Sequence, residues 1–193
     1  MENRSYSAVF RVLHWAIGIC MLLLLLTIFL RLTWMNRTHM AEVIQQSLDA
    51  NNVSLEAKEV GKIARNIREP MWQWHIYLGY VLVGLFSLRF LMHPFGKMLI
   101  QNPFKAGISR KVRFQYAMYV IFYVLVVVSL STGLLIEHGP RSIHELMEEI
   151  HVLSIYYLLA FIVLHLGGVL LAEFTTHKGL ISRVISGEPD KKP

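Results

Sequence analysis

The chain has 193 residues, 54% of them hydrophobic and only 17% charged, with a mean hydropathy of +0.46. Soluble domains are about 45–50% apolar and ~25% charged, so the composition excludes an ordinary soluble domain and points to the membrane. A single cysteine, Cys20, excludes an internal disulfide framework, a cysteine-held metal cluster and the paired-Cys attachment of a covalent haem.

Residues 12–30 form the first charge-free apolar run, preceded by Arg4 and Arg11. A secretory signal begins similarly, but the residues that follow, Thr33, Trp34, Met35 and Asn36, offer no small-residue cleavage site. The run is therefore expected to stay as a helix over about 10–32. Residues 33–69 then form a long connection that reads as two short amphipathic helices, with Thr38 and Ser54 as N-caps and a break at Asn51–Asn52. Val60, Ile63 and Ile67 make one apolar stripe on the second piece.

Further apolar runs follow at 70–88, 114–136 and 150–172, and the helices around them are predicted at about 72–92, 113–136 and 148–174. About 20 helical residues cross a ~30 Å hydrocarbon core, and none of the four runs alternates in polarity as barrel strands do. The expected fold class is all-α: an integral membrane four-helix bundle, one domain over 1–193, with a helical extramembrane hairpin between helices one and two.

Orientation follows from Lys and Arg in short connections. Lys97, Lys105, Arg110, Lys111 and Arg113 crowd the second connection, around Pro94, Pro103 and Gly107, and Lys178, Arg183, Lys191 and Lys192 lie in the tail. The third connection holds Glu137, Glu145, Glu148 and Glu149 against Arg141 alone. Both termini are thus expected on the cytoplasmic side of an inner membrane, with Trp34, Trp72 and Trp74 in an aromatic belt at the outer interface. The formal charge of +6 is explained by this topology and calls for no nucleic acid.

Ligating side chains inside a membrane helix are functional candidates by default. Four histidines fall within or at the edge of the spans: His14, His75, His151 and His165. His151 and His165 are fourteen residues apart, about 21 Å and nearly four turns on a straight helix. They therefore share a face but are too far apart to ligate one metal, which suits two stacked haems. Each haem needs a second axial ligand at matching depth, which pairs His14 with His165 near the inner surface and His75 with His151 near the outer one. Gly18, Gly79 and Gly168 lie three or four residues beyond His14, His75 and His165, on the ligand's own face. There they leave room for a flat macrocycle or allow close helix packing. Arg11 and Arg68 could meet haem propionates, or serve as a topological anchor and a solvated charge. His93 is a substitute ligand for the inner haem, while His39, His138, His144 and His177 read as surface residues.

The segment Arg11-Val12-Leu13-His14-Trp15, His75 at the start of helix two and the His151/His165 pair resemble the bacterial cytochrome b-561 family, di-haem four-helix cytochromes related to hydrogenase cytochrome b subunits. The likeness covers nearly all four spans. It implies two bis-histidine b haems as cofactors and electron exchange with the quinone pool, with a redox protein as a possible second partner. Some relatives are similar to superoxide:quinone oxidoreductases, which keeps an enzyme reading open. A haem-free, His-lined transporter is the third reading, and the lack of Asp or Glu within the runs speaks against a proton relay.

Overall fold

The computed structural model describes residues 7–92, 102–175 and 179–187. Among them there are seven α-helices, one 3-10 turn and no strand. The helices are α1 (Ala8–Leu32), α2 (Arg37–Ala50), α3 (Ala57–Leu91), α4 (Arg110–His138), α5 (His144–Val152), α6 (Ser154–Thr175) and α7 (Leu180–Ile185). Four stretches are long and apolar enough to cross a membrane: Ala8–Leu32, Ala57–Leu91, Arg110–His138 and Arg141–Thr175. The all-α class and the four spans agree with the sequence. His93, Pro94, Lys97, His177, Lys178, Arg4, Lys191 and Lys192 lie outside the described residues.

The chain divides into two compact units. One is Ile17–Gly84, which holds most of α1, all of α2 and most of α3. The other is Met1–Ala16 with Leu85–Pro193, which holds the ends of α1 and α3 and all later elements.

In the first unit, α1 and α3 meet where Cys20 Sγ donates to the carbonyl of Leu78 at 3.3 Å. Ile17, Cys20, Met21 and Leu82 are buried, while Leu22, Leu26, Phe29 and Val81 stay exposed, as side chains facing lipid do. The connection departs from expectation in three ways. Its first helix is capped by Asn36, whose side chain accepts from Thr38 N, so Thr38 is the capped and not the capping residue. The break at Asn51–Asn52 is present, with Asn52 at φ 53°, a conformation that asparagine tolerates better than most residues. The second piece is not a separate helix starting at Ser54. It begins at Ala57, with the Glu56 carbonyl accepting from Val60 N, and runs through Pro70 into the second span as one 35-residue helix. Pro70 withdraws one N–H, but its neighbours still hold the helix together. The stripe also shifts: Val60 and Ala64 are buried, whereas Ile63 and Ile67 are exposed, because residues four apart share a helix face.

In the second unit, Ser109 caps α4 by accepting from Val112 N at 3.3 Å, and α4 packs against α5 and α6. Phe122 and Val126 of α4 are buried, and Phe122 stacks on Phe161 of α6 with ring centres 3.4 Å apart. The fourth span is not the continuous helix predicted over 148–174. It is interrupted at Leu153, where Leu153 N bonds Ile150 O and Tyr156 N bonds Leu153 O, both at 3.2 Å, i→i+3 turns that tighten the chain between α5 and α6. The carboxylate of Glu173 receives the N–H groups of Gly179 and Ile181 at 2.8 and 2.9 Å. It thereby fastens the short helix α7, which the sequence did not announce.

Candidate functional site

His14 and His165 come together within the second unit. Their ring centres are 6.1 Å apart with planes inclined at 55°. Phe10 lies parallel to His14 at 6.1 Å, one turn before it on α1. Phe161 lies parallel to His165 at 5.4 Å, one turn before it on α6, and Tyr119 of α4 meets His165 edge-on at 6.2 Å. The Nδ1 of His165 is buried and makes no hydrogen bond, so nothing in the described chain assigns its proton.

His151 is held quite differently. Its Nδ1 lies 3.0 Å from the carbonyl of Ser129 and 3.2 Å from Thr132 Oγ1. A carbonyl only accepts, so Nδ1 carries the proton and Nε2 is the unprotonated nitrogen. The ring rests on Gly133, where an added Cβ would stand 3.1 Å from His151 Cε1. His165 beside Tyr119 and His151 beside Gly133 keep one antiparallel register, since both pairs of positions are fourteen residues apart on their own strands of chain. Between the two histidines runs a continuous set of contacts. Tyr157 Oη donates to Ser129 Oγ at 2.8 Å, Ser129 and Ser154 share a short hydroxyl contact, and Tyr157 meets the Phe122–Phe161 stack edge-on.

His75 belongs to the other unit. Thr27 Oγ1 donates its one proton to the carbonyl of Leu24 at 2.6 Å. The 2.8 Å contact between Thr27 Oγ1 and His75 Nδ1 must therefore have Nδ1 as the donor, which again makes Nε2 the unprotonated nitrogen. Trp72 lies parallel to His75, ring centres 5.1 Å apart, and the Arg31 guanidinium carbon stands 4.1 Å from the Trp72 ring centre. Trp72 is thus half-buried among these residues, whereas Trp34 and Trp74 are exposed. His39 and His138 are exposed and His144 is half-buried.

A methyl group at Gly18, Gly79 or Gly168 would meet no protein atom within 4 Å. Close packing against the described helices therefore does not account for these three glycines. Arg11 lies with its guanidinium against Gly187, just past α7. The cation nearer the His14 pair is Arg89, which acts electrostatically on His14, donates from Nε to Tyr123 Oη at 2.6 Å and passes 5.6 Å from the Phe10 ring centre. Sequence reasoning passed over Arg89, Gly133, Thr27, Ser129 and Thr132. Only the polar cluster Ser129–Gly133 inside an otherwise apolar span, and a charge one residue past the second run, hinted at them.

Among the described residues no group of three or more His, Cys, Asp or Glu side chains could enclose a metal ion, so these side chains occur singly or paired and form no cage. Paired intramembrane imidazoles with oriented rings are what a flat metal macrocycle requires from its protein. No curated protein and no solved structure gives a significant match. Residues 5–187 match the family described as prokaryotic cytochrome b561, a match that spans all four membrane helices and every one of the four histidines, and the chain belongs to that family.

Proposed function

We propose that the chain carries electrons across the membrane through two b haems, exchanging them with the quinone pool at one face and with a second redox partner at the other. The family implies a membrane b-type cytochrome and haem b; the number of haems, their ligands and their partners are our reading. One observation carries it. Imidazole nitrogens stand about 2 Å from a first-row metal, so two rings trans on one metal have centres about 6 Å apart. The 6.1 Å between His14 and His165 fits that spacing.

The inner haem is assigned to His14 and His165. The outer is assigned to His75 and His151 on the depth argument from the sequence, both termini being cytoplasmic by the positive-inside rule. Both outer imidazoles have Nδ1–H held by an acceptor, which orients the ring and fixes which nitrogen faces the metal, as in other His–metal sites. Gly18, Gly79 and Gly168 leave the ligand faces flat. A haem supplies a one-electron couple; the protein's part is to set its orientation, surroundings and distance from the next centre. Phe122, Phe161 and Tyr157 fill the interval between His151 and His165 with aromatic side chains, keeping water out of it.

The test is a pyridine haemochrome count on purified protein, followed by stopped-flow reduction with quinol, superoxide and candidate partners. Two haems per chain and rapid quinol reduction support the carrier. Superoxide-driven haem reduction coupled to quinone reduction would instead make the protein a superoxide:quinone oxidoreductase. A colourless protein would return the histidines to the transporter reading.

A further inference from the structure

In the unit that holds His75, Arg31 and Arg37 lie near enough to Arg68 to act on it. Arg68 lies seven residues before His75 on α3, two turns away on the same face and about 10 Å along the axis. Its Nε is buried and makes no hydrogen bond. Arg31 and Arg37 are the charges that act on it. The Arg31 guanidinium carbon stands 4.1 Å from the Trp72 ring centre, and Trp72 lies parallel to His75. The Arg37 guanidinium reaches α3 at Gly61, with Nη2 3.7 Å from where a Cβ would stand. Among the described residues none of the three arginines forms an ion pair. Like charges brought together in partly buried surroundings oppose one another unless an anion joins them.

We propose that Arg31 and Arg68 form a carboxylate clamp for the propionates of the haem ligated by His75. This rests on the reading of His75 as a haem ligand. Guanidinium groups present planar forks of donors that match a carboxylate two bonds at a time. A lipid phosphate offers similar chemistry, but the Nε of Arg68 is buried and the residue shares the helix face that carries His75. Trp72 contacts both His75 and the Arg31 guanidinium, which holds the second guanidinium near the ligand.

The experiment uses the full-length holoprotein in nanodiscs of phosphatidylcholine, with and without phosphatidylglycerol, and haem labelled with 13C at the propionate carboxyls. Arg68→Gln, Arg68→Lys and Arg31→Gln are compared by redox titration and redox-difference infrared spectra. Loss of a nearby positive charge favours the ferric form. Arg68→Gln should therefore disfavour reduction of the His75 haem about tenfold, about 59 mV for one electron, and shift the labelled carboxylate bands. Arg68→Lys should restore most of the potential but not the bands, since an ammonium has no planar fork. Arg31→Gln should move the same bands and serves if Arg68→Gln loses haem. Labelled bands unmoved in both Gln variants, or a potential shift confined to discs containing phosphatidylglycerol, would overturn the clamp, the latter in favour of lipid phosphate. If His75→Ala removes no haem, the ligand assignment itself falls; bands unmoved with both haems intact dispose of the clamp alone.

Discussion

His151 rests on Gly133: an added Cβ there would come within 3.1 Å of the imidazole Cε1, while Ser129 of the same helix takes the ring's Nδ1–H at 3.0 Å. A contact and a hydrogen bond from one turn of α4 thus fix both the position and the tautomer of the ring. Gly133→Ala removes a helical glycine, which by itself stabilises a helix by roughly 0.5–1 kcal/mol. The imidazole must nevertheless move by a few tenths of an ångström. The expected outcome is equal or higher thermal stability of the protein together with an altered electron paramagnetic resonance signal for one haem only. An unchanged signal would mean that His151 ligates nothing.

Ligand pairing is tested by four alanine variants. His14→Ala and His165→Ala should each disturb the same redox component, and His75→Ala and His151→Ala the other. The 6.1 Å approach of the first two rings is the reason for the first pair, and depth along the helices is the reason for the second. Loss of one common component in His14→Ala and His151→Ala would refute the pairing.

Cofactor content follows from ligand number. On the proposed ligand set, four imidazoles for two irons should give two six-coordinate, low-spin b haems per chain. A haem-to-protein ratio near one, or a high-spin optical spectrum, would contradict the fourfold assignment.

Thr27→Val keeps the shape of the side chain but takes away the acceptor of His75 Nδ1–H. A ligand whose N–H is held by an acceptor donates more electron density and favours ferric iron, so the variant should raise the potential of one haem. The shift should be up to about tenfold in the reduction equilibrium, about 59 mV, read by potentiometric titration. A lowered potential, or equal shifts in both haems, would contradict the tautomer assigned here.

Gly168→Leu and Gly18→Leu distinguish room for a macrocycle from room for lipid. Neither position touches protein within 4 Å, so the protein should assemble normally in the membrane. Haem occupancy should nonetheless fall, for the component that His14→Ala and His165→Ala also disturb. Full occupancy in both variants would show that the macrocycle does not lie over these glycines.

The sequence by itself determined the four spans, because hydrocarbon tolerates only long apolar helices with their backbone bonds satisfied internally. That rule is local and needs no knowledge of neighbours. It also singled out His14, His75, His151 and His165, because a ligating side chain stands out in an apolar run. What the sequence missed involves contacts between helices. Gly133 and Ser129 matter only because α4 lies beside His151, and Thr27 only because α1 lies beside His75. The stacking of Trp72 on His75 likewise depends on a contact that no single position announces. The interruption at Leu153 lies within an unbroken apolar run, and α3 continues through Pro70 despite the missing N–H. Propensity and periodicity describe one helix against an average environment; which faces meet, and where a helix bends to let them meet, is decided by the packing of the whole chain.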